Sequence, residues 1–297
     1  MKIAIIVIIL ILLLMGLILW LPSQVLPVKR KTYDEAFAWA GDHYDTSFYG
    51  EVEKNDYSIS SYDGYELHVE LLKNPILSAK YVIITHGITD NLKASLKYAR
   101  FYLDLGFNCI IYDLRGHGMN EPSHITYGIK ESRDLLCLIK DTRERYPDIS
   151  LLGLHGESLG SATSVTCLKY KPEVDFVVAD CGFSEITNVL KGTFKNPSAA
   201  SIPVALADIG ARIRYHCSFR EMRPIDALAD NEIPVLYIHG AIDTLISSDN
   251  SEDMHKATKA YSECHIIPGA KHAMSAVVEP GMYTDILKNF LQHVTNA

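Results

Sequence analysis

The sequence predicts an α/β fold: a mainly parallel sheet of about eight strands flanked by helices, with a small helical cap and an N-terminal transmembrane helix. Three observations predict it. Short apolar runs alternate with helix-like stretches through most of the chain, the pattern of right-handed βαβ crossovers. The first two strand-like runs, Tyr57–Ser61 and Glu66–Leu72, alternate polar with apolar residues around Asp63-Gly64, whereas the next, Tyr81–Thr85, is continuously apolar. Alternation suits an antiparallel hairpin at a sheet edge, and an unbroken apolar run suits a strand covered on both faces. Finally, Ile3 to Leu21 is a block of 19 uncharged residues, nearly all Ile, Leu, Val or Met.

The 19-residue block comes first in the chain. At ~1.5 Å per residue it spans about 28 Å, enough for a bilayer core. It has no polar face, which a helix packed on a soluble domain would show. Residues 1–31 therefore read as a membrane anchor with a basic flank, Lys29, Arg30 and Lys31. A cleaved signal peptide is the rival; its apolar region would be shorter, and Leu21–Pro27 holds no Ala-x-Ala site. Orientation stays open. Counting charges puts the body on the cytoplasmic side, while a very short N-terminal tail is the usual pattern of a signal anchor that sends the body outward.

Residues 32–55 are polar and aromatic and read as a helix and linker leading off the membrane. The body, 56–297, opens with the hairpin. The strand Tyr81–Thr85 is followed by a helix over Leu92–Leu105, a buried strand over Phe107–Tyr112 and a helix over Tyr127–Tyr146. Ile149–His155 reads as a strand, with a helix beginning at Ser161. Asp175–Ala179, Val235–Ile238 and His265–Ile267 complete the strands, with helices near Ser248–Ala260 and Met282–His293. The stretch of about 183–228 breaks the rhythm. It holds Pro197, Pro203 and helical stretches around Ile186–Phe194 and Val204–Tyr215, and reads as a small cap inserted between two strands.

Composition bounds the function. At 297 residues the chain suits one large α/β domain plus an appendage. The net charge of −8 is uneven: the first 31 residues hold four basic side chains and no acid, leaving 24 basic and 36 acidic residues in the remainder. An acidic body without a basic, aromatic-laced patch argues against nucleic acid as a partner. Six cysteines form neither a CxxC pair nor a zinc spacing, and read as buried free thiols.

The chemistry-bearing motif is Gly156-Glu157-Ser158-Leu159-Gly160, set between the Ile149–His155 strand and a helix. A serine at the apex of a strand–turn–helix is the setting of a nucleophile elbow. In a chain of this composition the pentapeptide alone is weak evidence, since a glycine-flanked turn without chemistry has the same letters. Its context is what counts: His86-Gly87, Asp113-Leu114-Arg115-Gly116-His117-Gly118, Asp243 after the strand Val235–Ile238, and His272 in Pro268–Met274 after the last strand follow in order.

With these five ordered motifs, residues 56–295 resemble the α/β-hydrolase fold, and within it the esterase/lipase and serine-aminopeptidase-like group. The resemblance implies Ser158 as nucleophile, His272 as base and Asp243 as the acid that orients the base. Asp180, Asp249 and Asp253 are the rivals for the last role. It implies an oxyanion hole from the backbone N–H groups of Ile88 and Leu159, a bracing role for His86, and an Arg115–Asp113 pair in the Asp113–Gly118 loop. Glu157 departs from the histidine that many relatives carry before the serine; it could salt-bridge outward or raise the base's pKa. The expected function is a membrane-anchored serine hydrolase acting on an acyl ester or lipid-like substrate, with no metal or organic cofactor. A peptidase acting on short peptides is the alternative within the enzyme class. A non-catalytic binding protein of the same fold is the alternative outside it.

Overall fold

The computed structural model describes residues 1–27, 29–196 and 198–296, so Pro197 lies outside the described residues. In chain order the helices are α1 (Lys2–Trp20), α2 (Tyr33–His43), α3 (Phe48–Glu51), α4 (Leu96–Asp104), α5 (Ile129–Arg145), α6 (Leu159–Cys167), α7 (Ile186–Gly192), α8 (Ser201–Tyr215), α9 (Asp249–Ala257), α10 (Ser275–Val278) and α11 (Pro280–Asn296). The strands are β1 (Lys54–Ser60), β2 (Glu66–Leu72), β3 (Lys80–Thr85), β4 (Asn108–Tyr112), β5 (Leu151–Glu157), β6 (Phe176–Asp180), β7 (Val235–Gly240) and β8 (Ser262–Ile267). They form one eight-stranded sheet in the order β1-β2-β4-β3-β5-β6-β7-β8. β1–β2 and β2–β4 are antiparallel, and every later pairing is parallel. The hairpin at one edge and the parallel centre are those the alternating and continuous apolar runs predict.

The continuous runs are apolar because successive side chains feed two different cores. Ile83, Ile110, Val177 and Tyr237 join one core with Leu135, Leu138, Ala162 and Val165 of α5 and α6. Their neighbours Val82, Ile84, Cys109, Ile111, Val178, Leu236 and Ile238 join the other, with Leu96 and Tyr102 of α4 and Leu287 and Phe290 of α11. Each fully buried aliphatic side chain contributes about 1.5–3 kcal/mol relative to exposure. The two layers thus hold the sheet rigid beneath its rim.

Local differences from the sequence reading have local causes. The first turn of the expected Leu92–Leu105 helix is a 3₁₀ turn, Leu92–Ser95, because the Asn91 side chain accepts from the Lys93 N–H and tightens it. β8 begins at Ser262 rather than His265: its polar residues pair with β7 along the sheet edge, where an apolar run is not required. Pro203 lies inside α8, in its first turn, where a proline's missing N–H costs no helix bond. Residues 32–55 contain α2, started by a Thr32–Glu35 capping box, and α3. Both pack on the body: Ala36, Ala40 and Phe48 are buried, Tyr33 Oη donates to Asp113, and Tyr49 Oη donates to Glu70 at 2.9 Å. α1 has no buried residue, and its last turns meet α8.

The parallel strands β3, β4, β5, β6, β7 and β8 all deliver polar residues at their C-terminal ends, where open α/β sheets place their clefts. Those residues are His86, Asp113, Ser158, Asp180, Asp243 and His272.

Candidate active site

Ser158 sits between β5 and α6 with φ 54° and ψ −110°, a left-handed conformation that costs a non-glycine residue on the order of 1–3 kcal/mol. Its neighbours must be glycine. A Cβ on Gly156 would lie 2.2 Å from the Gly160 carbonyl oxygen, and one on Gly160 would lie 2.0 Å from the Thr85 carbonyl oxygen. The turn is held by the Ser158 N–H donating to Asp180 O at 2.9 Å and by Ala162 N–H donating to Ser158 O at 3.0 Å. Strain is thus held by backbone bonds to β6 and α6, with the hydroxyl at the first turn of α6.

His272, in the loop between β8 and α10, meets that hydroxyl. Its Nε2 is 2.9 Å from Ser158 Oγ, and its Nδ1 is 2.6 Å from Asp243 Oδ2. The carboxylate partner assigns the imidazole proton to Nδ1 and leaves Nε2 to accept from the serine hydroxyl. Asp243 is itself fixed from the other side, since Oδ1 accepts from the N–H groups of Leu245 and Ile246, each at 2.9 Å. Burial pushes the Asp243 carboxyl up, but hydrogen bonds from His239 and His272 outweigh it and hold the group well below the usual carboxylate range. A permanently ionised Asp243 keeps the imidazole in one tautomer and stabilises it when it gains a proton.

His239 was not singled out from the sequence. It is fully buried in β7, with Nε2 3.2 Å from Asp243 Oδ2 and 2.9 Å from Ile246 O. Its Nδ1 is 2.7 Å from Ser251 Oγ. The carbonyl at Nε2 places the ring proton there, so His239 donates toward the Asp243 loop and accepts from Ser251. A histidine inside an apolar strand, four residues before the acid, was the available signal.

The rival acids are engaged elsewhere. Asp180 accepts from Tyr98 and Tyr283, each at 3.0 Å. Its fully buried carboxyl is pushed up to about 6 by burial and by the Glu157 charge, against the opposing pull of Lys97. Asp249 accepts from Ser247 at the start of α9, and Asp253 faces Lys256. Glu157 points inward rather than outward. It forms a buried ion pair with Lys97 and accepts from Tyr98 Oη at 2.7 Å. Lys97 Nζ also donates to Ala273 O at 2.8 Å, beside His272. Burial would discharge the Lys97 amine, but the Glu157 carboxylate more than compensates and holds it charged, with its pKa raised.

The loop after β3 lies against the elbow. A Cβ on Gly87 would be 3.6 Å from Ser158 Cβ. His86 ties this loop to the next one: Nδ1 is 2.7 Å from Gly87 O, and Nε2 accepts from Leu114 N–H at 3.0 Å. Ile88 follows Gly87 in that loop, and Leu159 is the first residue of α6. Among the described residues, no hydrogen bond occupies the backbone N–H of either. The expected Arg115–Asp113 pair does not form. Asp113 is taken by the N–H groups of Leu92 and Met119 and by the Tyr33 hydroxyl. Arg115 instead forks between Asp134 on α5 and Asp63 in the β1–β2 turn, bracing the hairpin from outside the site.

Among the described residues no group of three or more His, Cys, Asp or Glu side chains is arranged to hold a metal ion. Chemically, the site offers a hydroxyl, a base in hydrogen-bond reach of it, an ionised group behind the base, and two backbone donors on adjacent segments. That is the set needed to attack a carbonyl and stabilise the resulting oxyanion.

Known proteins share this architecture. The family model described as serine aminopeptidase, S33, matches residues 78–190. A Bacillus subtilis (strain 168) protein, uncharacterized protein YqkD, is 30% identical over 288 residues, covering 92% of each chain. Among solved structures, a Pyrococcus furiosus esterase, Pf2001, superposes with a TM-score of 0.69 at 24% identity, over 84% of this chain and 94% of that one. The acylaminoacyl peptidase of Pyrococcus horikoshii superposes with a TM-score of 0.61 at 17% identity, over 82% of this chain and 41% of the larger one.

Proposed function

Because the chain belongs to the α/β-hydrolase superfamily, we propose that it is a membrane-anchored serine hydrolase that cleaves carboxylic esters, acyl-ester or lipid-like, through an acyl-enzyme. The observation that carries this reading is the unbroken hydrogen-bond chain from Asp243 through His272 to Ser158, at 2.6 and 2.9 Å. In it, Ser158 Oγ attacks the ester carbonyl carbon while its proton passes to His272 Nε2. The carbonyl oxygen becomes an oxyanion facing the N–H groups of Ile88 and Leu159, each such donor contributing about 3 kcal/mol. Collapse expels the alkoxide, which takes the proton from His272 and leaves as alcohol. A water then gives its proton to His272 and attacks the acyl carbon; the acid departs and Ser158 regains its proton. No cofactor takes part in these steps.

The anchor rests on α1: within Lys2–Gln24, the helix and the turn that follows it, an 18-residue window has a mean hydropathy of 3.4 and no buried residue. An active site tethered near lipid suits acylglycerols, acyl esters or acylated protein. Amide hydrolysis is the second reading, favoured by the serine aminopeptidase description of the matching family model and by the acylaminoacyl peptidase neighbour. Use of the fold purely as a binding surface is disfavoured by the retention of all three side chains. A panel of p-nitrophenyl esters of rising chain length alongside aminoacyl anilides decides among these. Ester turnover lost in Ser158→Ala supports the proposal. Turnover of anilides alone selects the peptidase reading, and no Ser158-dependent turnover of either class contradicts both.

A further inference from the structure

Helix α8, between β6 and β7, has two unlike faces. Val204, Ala207 and Ala211 are buried, the last two in the same core as Leu159. Ile202, Ile209 and Ile213 point outward, at 72%, 45% and 60% exposure, spaced seven and four residues apart on one stripe. Exposed isoleucines alone are ordinary. What distinguishes these is the neighbour of α8. Gly210, next to Ile209, abuts α1 so closely that a Cβ there would lie 1.9 Å from Ile18 O. Arg214 Nη1 donates to Leu19 O at 3.3 Å in the same contact.

Ile18 is three residues before the end of the apolar block Ile3–Leu21, so the contact lies within about 5 Å of that end. If α1 crosses a bilayer, α8 is carried to the membrane boundary and its outer face has lipid beside it. The charge around α8 fits that place. Residues 186–220 contain five basic side chains (Lys191, Lys195, Arg212, Arg214 and Arg220) and one acid, Asp208, in a body that is otherwise acidic. Asp208 is already engaged: its Oδ1 accepts from Ser218 Oγ and Phe219 N–H, each at 2.8 Å, while Oδ2 faces Arg212 and Arg220. Both arginines remain more than half exposed.

We propose that α8 lies in the membrane interface as an amphipathic helix beside the anchor. Ile202, Ile209 and Ile213 enter the acyl-chain boundary, and the flanking arginines and lysines sit among anionic headgroups. The cap then faces the bilayer, and an acyl substrate reaches the site from the lipid phase. This rests on the reading of α1 as a membrane anchor.

The test uses the full chain, with Trp20→Phe and Trp39→Phe as background, reconstituted in vesicles of phosphatidylcholine and phosphatidylglycerol carrying brominated acyl chains. One tryptophan is introduced at a time by Ile209→Trp on α8, Ile8→Trp in the middle of α1, or Lys288→Trp on α11, across the sheet. The proposal predicts bromine quenching for Ile209→Trp and Ile8→Trp but not for Lys288→Trp, and stronger quenching at Ile209→Trp when phosphatidylglycerol is included. Quenching at Ile8→Trp without quenching at Ile209→Trp overturns the interfacial helix and leaves the anchor standing. Quenching at neither position overturns the anchor, and the interfacial helix with it. Emission at Ile209→Trp that is blue-shifted, unquenched by lipid and dependent on protein concentration assigns the face to a second copy of the chain and also overturns the proposal.

Discussion

Lys97 joins two parts of the site that lie far apart along the chain. Its ammonium pairs with Glu157, the residue before the serine, and donates to the carbonyl of Ala273, the residue after the histidine. Ala273 has φ 59°, so the histidine loop is bent sharply at the point where Lys97 holds it. Lys97→Met strands a buried carboxylate, which costs on the order of 3–5 kcal/mol, and it also frees the His272 loop. Lys97→Met with Glu157→Gln removes the stranded charge. The double variant is expected to regain most of the lost melting temperature but not the lost kcat, with KM little changed. Melting curves alongside steady-state kinetics check this, and recovery of kcat with stability would reduce Lys97 to a structural role. Ser158, Asp243 and His272 could be picked out as candidates because each stands at a fixed place after a strand, and the structure brings the three side chains into hydrogen-bond contact. Lys97 and His239 were not, because a lysine in a helix and a histidine in a strand have the same letters whether they are solvated, packed or wired to the site.

At the scale of elements, the β5–turn–α6 unit depends on the absence of side chains. Gly160→Ala pushes a methyl group against the Thr85 and His86 carbonyls, where a Cβ has 2.0 and 2.8 Å of room. Overpacking of this kind costs about 1–3 kcal/mol. It also displaces β3 from the elbow, so activity is expected to fall well beyond what the lost stability explains. Circular dichroism melts and turnover measured on the same preparation check this, and an unchanged rate would mean the elbow tolerates relaxation. The central strands were legible because both of their faces are buried, which leaves an unbroken apolar run. β8 was cut short because an edge strand keeps Ser262 and Glu263 polar. The stretch between β6 and β7 was legible as an interruption of the strand–helix rhythm, but the start of α8 was not, because Pro203 reads as a breaker and acts as a first-turn residue. Packing of α2 and α3 on the body was not readable, because Tyr33 and Tyr49 reach partners far away in sequence, Asp113 and Glu70.

At the scale of the whole molecule, the rim of one mainly parallel sheet gathers the candidate site, and the polar cluster just inside the core tunes the stability of the fold with pH. Asp180 is raised from an ordinary 3.8 to about 6, first by burial and then by the Glu157 charge. Between those values the folded chain keeps the proton that the unfolded chain has released. Stability from this group therefore falls as pH rises through that window, and the loss is complete above about 6. Asp180→Asn lacks this fall, so its melting temperature relative to wild type should rise between pH 4 and pH 7. A constant difference across that range would mean the carboxyl titrates normally.

The proposed chemistry depends on one hydroxyl made nucleophilic by an imidazole. Its most direct test is intact-mass and peptide mapping of the folded full chain after treatment with a fluorophosphonate. A single phosphonyl adduct on the peptide containing Ser158, absent in Ser158→Ala and strongly slowed in His272→Ala, is the predicted result. A folded protein that takes up no adduct, or an adduct that persists in Ser158→Ala, would contradict it.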